Sequence, residues 1–280
     1  MILVTGATGN IGTPLLSQLH RHGARPLRGL TRDAGRAATA FPAGVEAVAA
    51  DLARTDSLKP ALDGVRALFL VSRLGDDAAI LAAAREAGVE HVVLVSSVTV
   101  ETHPHLPAAV DNATTERLLK DSGMAWTILR PTQFTSNTLW WAPAIRAHQP
   151  VRVPYADIGL PAVHPSDIAS VARLALTEPG HQGQTYALTG PARITPREQA
   201  AAIGAALGRD VPLAEISRAE AHTGMAAFLG AEQADAVLDL MGGDVNDALR
   251  AVRDTVPRLT GAPALPFHRW ATEHADAFRP

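Results

Sequence analysis

Near the start of the chain, a loop with three glycines at residues 6–12 lies between an apolar run and an amphipathic helix. Residues 2–5 read Ile-Leu-Val-Thr, and the loop reads Gly-Ala-Thr-Gly-Asn-Ile-Gly. Leu15, Leu16 and Leu19 then share one helical face, and Gly23 ends the helical pattern. Such a loop turns the backbone tightly from a buried strand into a helix. The chain therefore begins with a β–α unit.

Alternation of strands and helices continues through the first half of the chain. Short apolar runs that end at turn residues predict strands at 2–5, 26–31, 45–50, 67–72, 89–97 and 126–129, with helices between them, one at 76–87. Several runs are apolar throughout, as expected for strands that are buried on both faces. Strands that alternate with helices run parallel, with right-handed crossovers. We therefore predict an α/β fold, a Rossmann-type doubly wound parallel sheet.

In this context the glycine loop predicts a dinucleotide site. Glycine lets the backbone approach a pyrophosphate, whose charge then lies on the unpaired N–H groups at the helix N-terminus. A tight turn without a ligand is the alternative. The residues expected to hold the pyrophosphate are Gly6, Thr8, Gly9, Asn10, Ile11 and Gly12.

The end of the second strand indicates which dinucleotide binds. An acidic residue there accepts from the ribose of NAD, whereas arginine pairs with the 2′-phosphate of NADP. Arg32 ends this strand and Arg36 follows one helical turn later. NADP(H) is therefore favoured, while Asp33 keeps NAD(H) open.

The ends of the third and fourth strands complete the expected cofactor site. Asp51 and Leu52 follow the third strand and would lie beside the adenine ring. Val71 and Ser72 close the fourth strand and would lie beside the ribose and pyrophosphate. Asp51 could equally cap a short turn.

The regular alternation of strands and helices ends in the second half of the chain, because six prolines interrupt residues 131–165. Regular structure resumes with a helix at 166–176 and a strand at 184–188. Thr195 and Glu198 form a capping box that opens a helix to Leu207, and a strand follows at 211–215. We predict a nucleotide-binding domain at 1–135 and a smaller α/β substrate lobe at 136–280, with 163–190 returning to the Rossmann core.

Composition excludes several classes of protein. The chain has no cysteine, so disulfides, thiolate nucleophiles and iron–sulfur clusters are absent, which fits a reducing compartment. A net charge of −3 argues against a nucleic-acid partner. No run approaches the ~20 apolar residues of a membrane span, and the glycine loop starts too early for a targeting segment. We expect a cytoplasmic protein with a small-molecule substrate and, as one option, a homodimer.

These motifs together resemble the NmrA-like branch of the atypical short-chain dehydrogenase/reductases, which includes triphenylmethane-reductase-like and NADPH quinone-reductase-like members. The resemblance implies NADP(H) bound along the strand ends, with Pro131, Phe134 and the Ser96–Ser97 segment close to the nicotinamide. The matching segments are 4–12 (VTGATGNIG), 30–33 (LTRD), 50–52 (ADL), 93–97 (VLVSS), 127–131 (TILRP) with Phe134 and Asn137, and 163–169 (VHPSDIA).

The chain departs from most short-chain dehydrogenases in its acid/base residues. Those enzymes use a Tyr-x-x-x-Lys pair, in which the lysine lowers the pKa of the tyrosine. Here the only tyrosines are Tyr155 and Tyr186, and glycine stands four residues after each. The helix around 111–117, where the pair would fall, has neither residue type and carries Glu116 instead, which resembles the quinone-reductase-like members.

Two functions remain open. Hydride transfer to or from a conjugated molecule such as a quinone, an enone or an imine needs little acid from the protein. Alternatively, the protein is an NmrA-like dinucleotide sensor that regulates a partner without turnover. An isomerase or epimerase is disfavoured by the missing tyrosine.

Candidate proton donors lie after the fifth strand. His103 and His105 occupy a loop that should line the ligand crevice, although loop histidines are usually solvated. Ser97 and Thr99 offer hydroxyls at the same strand end. No metal site is expected, because no third ligand lies near the two histidines.

Candidate substrate-binding residues follow the sixth strand. Phe134, Trp140 and Trp141 gather three rings into eight residues and suggest a flat apolar wall. Packing between the two lobes explains the tryptophans equally well. Asn137 could orient a substrate carbonyl or cap the following helix.

Overall fold

The computed structural model describes residues 1–280 and contains eleven strands. Eight lie close to predicted positions, and the three at 151–153, 160–161 and 193–194 were not predicted. In chain order the eleven strands are β1 (Ile2–Val4), β2 (Leu27–Thr31), β3 (Val45–Ala49), β4 (Ala67–Val71), β5 (His91–Val95), β6 (Ala125–Pro131), β7 (Val151–Val153), β8 (Leu160–Pro161), β9 (Gln184–Leu188), β10 (Arg193–Ile194) and β11 (Leu213–Glu215).

Fourteen α-helices connect and cover these strands. They are α1 (Gly12–Arg21), α2 (Ala34–Ala38), α3 (Lys59–Leu62), α4 (Asp77–Glu86), α5 (Thr99–Thr102), α6 (Pro107–Asp121), α7 (Ala142–Arg146), α8 (Pro165–Thr177), α9 (Pro196–Leu207), α10 (Arg218–Leu229), α11 (Ala231–Leu238), α12 (Asp247–Arg250), α13 (Thr255–Thr260) and α14 (Phe267–Glu273). Short 3₁₀ turns occupy Thr55–Leu58, Thr135–Trp141 and Ala275–Phe278, and a π turn occupies Asp239–Gly243. None of the helices combines the length and apolarity that a membrane crossing requires.

Seven strands form one parallel sheet in the order β3-β2-β1-β4-β5-β6-β9. The strand order reverses at β1, which pairs with β2 on one side and β4 on the other. In open α/β sheets, such a reversal opens a ligand crevice at the carboxyl ends of the strands. The predicted Rossmann-type fold is confirmed, and its switch point lies where the glycine loop leaves β1.

Side chains that alternate along the strands build two cores, one on each face of the sheet. Val4, Val93 and Leu129 pack with α1 and α8 on one face. Leu3 and Leu94 pack with α4 and α6 on the other. Both faces are covered, which is why the central strands β1 and β4 are apolar throughout.

A third cluster forms the core of the smaller lobe, around the fully buried Trp270 of α14. This lobe contains the pairs β7–β11 and β8–β10. The chain between β8 and β10 returns to the large sheet, where β9 pairs with β6 and α8 packs against α1. The capping box at α9 has both predicted hydrogen bonds, from Glu198 N to Thr195 Oγ1 (3.1 Å) and from Thr195 N to Glu198 Oε2 (2.8 Å).

Helix α8 begins with two buried polar side chains. Its N-cap is His164, whose Nδ1 accepts a hydrogen bond from Ser166 N at 3.0 Å. Asp167 Oδ2 accepts from Leu265 N at 2.8 Å, in the chain just before α14. The motif VHPSDIA is therefore explained by a helix start and by a tether to the C-terminal segment.

Candidate active site

The glycine loop has the shape of a phosphate cradle. Gly6 has a φ of +58°, and Gly9 N donates to Gly6 O at 2.9 Å. A Cβ on Gly12 would lie 2.2 Å from Gly6 O, so no other residue fits this position. The helix start can therefore approach a ligand with bare backbone.

The start of α1 leaves its N–H groups without side-chain partners. No side chain caps the helix, and its first turn contains no acidic residue. Thr8, Gly9 and Asn10 are exposed, and Asn10 Nδ2 donates to Ser136 Oγ at 3.2 Å. An uncapped helix N-terminus carries partial positive charge, so these residues fit a pyrophosphate.

Two unpaired arginines stand at the carboxyl end of β2. Arg32 and Arg36 are exposed, and neither forms a salt bridge. Asp33 caps α2 by accepting from Arg36 N at 3.0 Å. Its carboxylate is therefore occupied locally, while two guanidinium groups remain free for an anion.

The ends of β3 and β4 present different chemistry. Asp51 Oδ1 accepts from Ala53 N at 3.0 Å and closes a turn, and Leu52 is buried. Val71 lies beside the glycine loop, since its Cγ2 would lie 3.9 Å from a Cβ on Gly6. The Ser72 hydroxyl donates to Asn112 Oδ1 of α6 at 2.5 Å.

A cavity of about 290 Å³ lies at the carboxyl ends of β5 and β6, beneath the C-terminal lobe. Its size falls near the lower end of small-molecule sites, roughly 300–1,000 Å³. It is lined by Ser97, Val98, Thr99, Pro131, Thr132, Gln133, Phe134, Asn137, Leu160, Pro161, Val237, Leu240, Met241 and Leu249.

Five of the predicted site residues meet in this cavity: Ser97, Thr99, Pro131, Phe134 and Asn137. The structure adds Gln133 and a far wall formed by α11, the π turn and α12. Gln133 could have been suspected from its place next to Phe134. The far wall comes from residues 237–249, about a hundred residues after Phe134, and no local sequence pattern connects these two parts of the cavity.

The expectation that Trp140 and Trp141 wall the cavity is wrong. Trp140 is 70% exposed and faces solvent. Trp141 leads into α7 and packs against the core of the smaller lobe. The 3₁₀ turn after Phe134 thus directs the two indoles away from the cavity.

The predicted place of the two histidines in the cavity is also wrong. His103 is fully buried, with Nε2 2.7 Å from Asp244 O and Nδ1 2.8 Å from Thr102 Oγ1. It joins the loop after β5 to the end of the π turn. His105 lies exposed on the surface. Neither imidazole lines the cavity.

The two adjacent serines after β5 face different surroundings. The Ser96 hydroxyl is buried and donates to Glu116 Oε1 at 2.7 Å, so it is engaged behind the site and does not line the cavity. Ser97 lines the cavity, and its Oγ accepts from Thr99 Oγ1 at 2.8 Å and from Thr99 N at 3.2 Å. With both acceptor positions occupied, Ser97 still has its own proton to donate.

The cavity wall contains no Asp, Glu, His, Lys, Arg or Tyr. Tyr155 packs against Gly242, where a Cβ would come within 2.4 Å of the tyrosine ring, and the Tyr186 hydroxyl lies 2.9 Å from His181 Nδ1. The polar groups of the wall are hydroxyls and the amides of Gln133 and Asn137. The site can therefore donate hydrogen bonds but has no titratable acid of its own.

Comparison with known proteins agrees with this geometry. Residues 6–179 match a family profile described as NAD(P)H-binding. A Streptomyces griseus subsp. griseus protein named (4-alkanoyl-5-oxo-2,5-dihydrofuran-3-yl)methyl phosphate reductase is 42% identical, over 100% of both chains. An NAD(P)H azoreductase of Xenophilus azovorans is 37% identical, over 99% of both chains.

The fold is likewise that of a solved NADPH-dependent quinone oxidoreductase of Escherichia coli, complexed with NADPH. That structure has a TM-score of 0.80 and 27% identity, and the match covers 98% of this chain and 99% of the other. The glycine loop, the strand order and these relatives agree, and the chain belongs to the NAD(P)H-binding family.

Proposed function

We propose that this protein is an NADPH-dependent reductase of small conjugated acceptors such as enones, quinones or imines. The observation that carries the proposal is the cavity beside the nucleotide crevice, which has an apolar wall and no ionisable side chain. A pre-formed cavity supports an enzyme over a sensor without turnover, because a sensor needs no substrate space.

The chemistry of the acceptor follows from what the cavity lacks. Reduction of a plain ketone leaves a localised alkoxide, which needs a well-placed acid. A conjugated acceptor instead spreads the charge over several atoms or neutralises a cation, so that solvent can supply the proton. The hydride would come from the dihydronicotinamide of the bound cofactor.

Ser97 is the proposed hydrogen-bond donor to the substrate. Two hydrogen bonds from Thr99 hold its Oγ and leave its proton free at the cavity wall. A fixed donor stabilises charge that develops on a substrate oxygen or nitrogen. Phe134 provides a flat apolar surface on which a conjugated ring can lie.

Arg32 and Arg36 are the proposed ligands of the 2′-phosphate. Both are free of salt bridges, and Asp33 is committed to the cap of α2. The Arg32→Ala variant should raise KM for NADPH by about tenfold and leave KM for NADH unchanged. Arg66→Ala, which removes an exposed arginine paired with Glu90, serves as the control and should change neither.

The two full-length relatives support a reductase of conjugated molecules, since one is named for a dihydrofuranone ring and the other for azo compounds. We also propose that the protein is cytoplasmic, because a chain without cysteine forms no disulfides and so fits a reducing compartment.

The decisive assay follows loss of NADPH absorbance with a butenolide, a benzoquinone, an azo dye and a saturated ketone. Turnover of a conjugated member and none of the ketone is expected. The Ser97→Ala variant should lower kcat by roughly a hundredfold at unchanged KM for NADPH, and Thr99→Val should lower it less. Turnover of the ketone alone, or a Ser97→Ala variant as fast as wild type, contradicts the proposal.

A further inference from the structure

Helix α6 carries a buried carboxylate directly behind the cavity. The Glu116 side chain is only 3% exposed and accepts from the Ser96 hydroxyl at 2.7 Å. Its two oxygens also receive the Arg130 guanidinium, from Nε at 2.9 Å and from Nη2 at 2.6 Å. This two-pronged geometry fixes the direction as well as the distance of both partners.

The two hydrogen-bond partners of Glu116, Ser96 and Arg130, stand one residue away from the cavity wall, while the half-exposed Lys120 Nζ lies farther from the carboxylate, at 3.9 Å. Ser96 precedes Ser97, and Arg130 precedes Pro131. Backbone hydrogen bonds join the same two segments, from Ser96 N to Leu129 O at 2.8 Å and from Val98 N to Pro131 O at 3.0 Å. The carboxylate therefore holds together the two strand ends from which the proposed donor and the aromatic wall extend.

The same face of α6 reaches a third strand end. Asn112 lies four residues before Glu116, one helical turn away, and accepts from the Ser72 hydroxyl after β4. Between them, Thr115 donates to Asp77 Oδ2 at 2.9 Å, and Asp77 in turn accepts from Arg73 N at 3.0 Å. This helix thus contacts the ends of β4, β5 and β6.

We propose that Glu116 is a positioning residue for the active-site cavity, which it serves by fixing the ends of β5 and β6 through Ser96 and Arg130. Glu116 does not line the cavity, so its effect on a substrate passes through Ser97 and Phe134. The helix on which most short-chain dehydrogenases carry their acid/base pair is used here to hold the site in shape. A misplacement of about 1 Å in such a site can cost about a hundredfold in rate.

The test must separate positioning from stability, because removal of one partner leaves the other charge buried and destabilises the fold. Replacing Glu116 and Arg130 together by apolar residues of similar size leaves no buried unpaired charge. The variant is therefore the double substitution Glu116→Leu with Arg130→Met. The matched control replaces the exposed ion pair of Asp157 and Arg197 with Asp157→Asn and Arg197→Gln.

Hydrogen–deuterium exchange on the protein without cofactor is the first readout. The double variant should fold with a Tm within about 5 °C of wild type, while the amides of 97–99 and 132–134 exchange at least about tenfold faster. The control should show wild-type exchange. Wild-type exchange in the folded double variant overturns the proposal.

Kinetics provide the second readout, and this part alone rests on the proposed function. The double variant should lose at least about tenfold in kcat and keep its KM for NADPH, because the glycine loop is untouched. Full kcat in the folded double variant also overturns the proposal. If wild type turns over none of the acceptors, the proposed function fails and the exchange result still decides the role of Glu116.

If the double variant does not fold, Glu116→Asp decides. This variant keeps the charge but withdraws the carboxylate by one methylene, so faster exchange at 97–99 and 132–134 is expected. Wild-type exchange in Glu116→Asp overturns the proposal.

Discussion

Replacing Asp167 with asparagine should stabilise the protein at neutral pH, although the substitution removes a negative charge from the first turn of α8. Asp167 is 5% exposed, and its Oδ2 accepts a hydrogen bond from Leu265 N. Burial raises the pKa of this carboxyl from 3.8 to about 6, against the smaller opposing effect of the Leu265 hydrogen bond. The folded state therefore holds the proton more tightly than the unfolded state.

The sign and size of the effect follow from this difference. The stability contributed by the neutral carboxyl is complete below pH 3.8 and is lost as the pH rises through about 6. The shift corresponds to about 3 kcal/mol at pH 8, and roughly half of that is present at pH 5. Asparagine keeps an acceptor for Leu265 N and carries no charge, so the variant should recover this energy.

Urea unfolding at pH 5 and pH 8 measures the effect. The free energy of unfolding of Asp167→Asn should exceed that of wild type at both values, with the larger difference at pH 8. The control is Asp157→Asn, because the hydrogen bond from Arg197 lowers the pKa of Asp157 and its loss should weaken the fold slightly. Equal stability of Asp167→Asn and wild type at pH 8, or a difference that does not change with pH, would show that the pKa of Asp167 is not raised in the folded protein.

Three further predictions concern the cofactor loop, the cavity and α8. Gly12→Ala should abolish NADPH binding in calorimetry, because its Cβ would lie 2.2 Å from Gly6 O; intact binding would contradict the cradle. Phe134→Ala should raise KM for a conjugated acceptor by about tenfold, whereas Trp140→Ala, at a solvent-facing position, should leave KM unchanged. A higher KM in Trp140→Ala than in Phe134→Ala would show that the substrate does not bind in this cavity. Burial lowers the pKa of the His164 cap from 6.5, so the stability that the neutral imidazole contributes is present above pH 6.5 and is lost as the pH falls below it. His164→Asn should keep the cap and reduce this loss of stability, which thermal unfolding at pH 5.5 and pH 8 measures. An unchanged pH dependence of the Tm would exclude His164 as the source of the loss.

The parts of the fold that could be predicted are those determined by local chemistry. The glycine loop requires a left-handed Gly6 and a bare Gly12, and no packing elsewhere changes that requirement. The capping box at Thr195 is closed by side chains three residues apart. Both features can therefore be predicted from local sequence alone.

The directions of side chains in loops and turns could not be predicted from the sequence. His103 lies in the loop predicted after β5 and Trp140 follows β6 as expected, yet His103 is buried against Asp244 and Trp140 faces solvent. Adjacent residues can also divide between two environments, as Ser96 and Ser97 do. Backbone propensity places a residue on an element, but packing against distant segments decides which way its side chain points.

The class of sheet, the glycine loop between β1 and α1, the arginines at the end of β2 and the absence of a Tyr-x-x-x-Lys pair all follow from the order of residues in the chain. Each depends on residues close together in the chain or on counts alone. That the cavity wall has no ionisable side chain, and that Glu116 binds Ser96 and Arg130 at two strand ends, depends on the tertiary fold. The physical reason is that a site at the carboxyl edge of a parallel sheet is assembled from loops far apart in sequence, and its electrostatics depend on which of their side chains face inward.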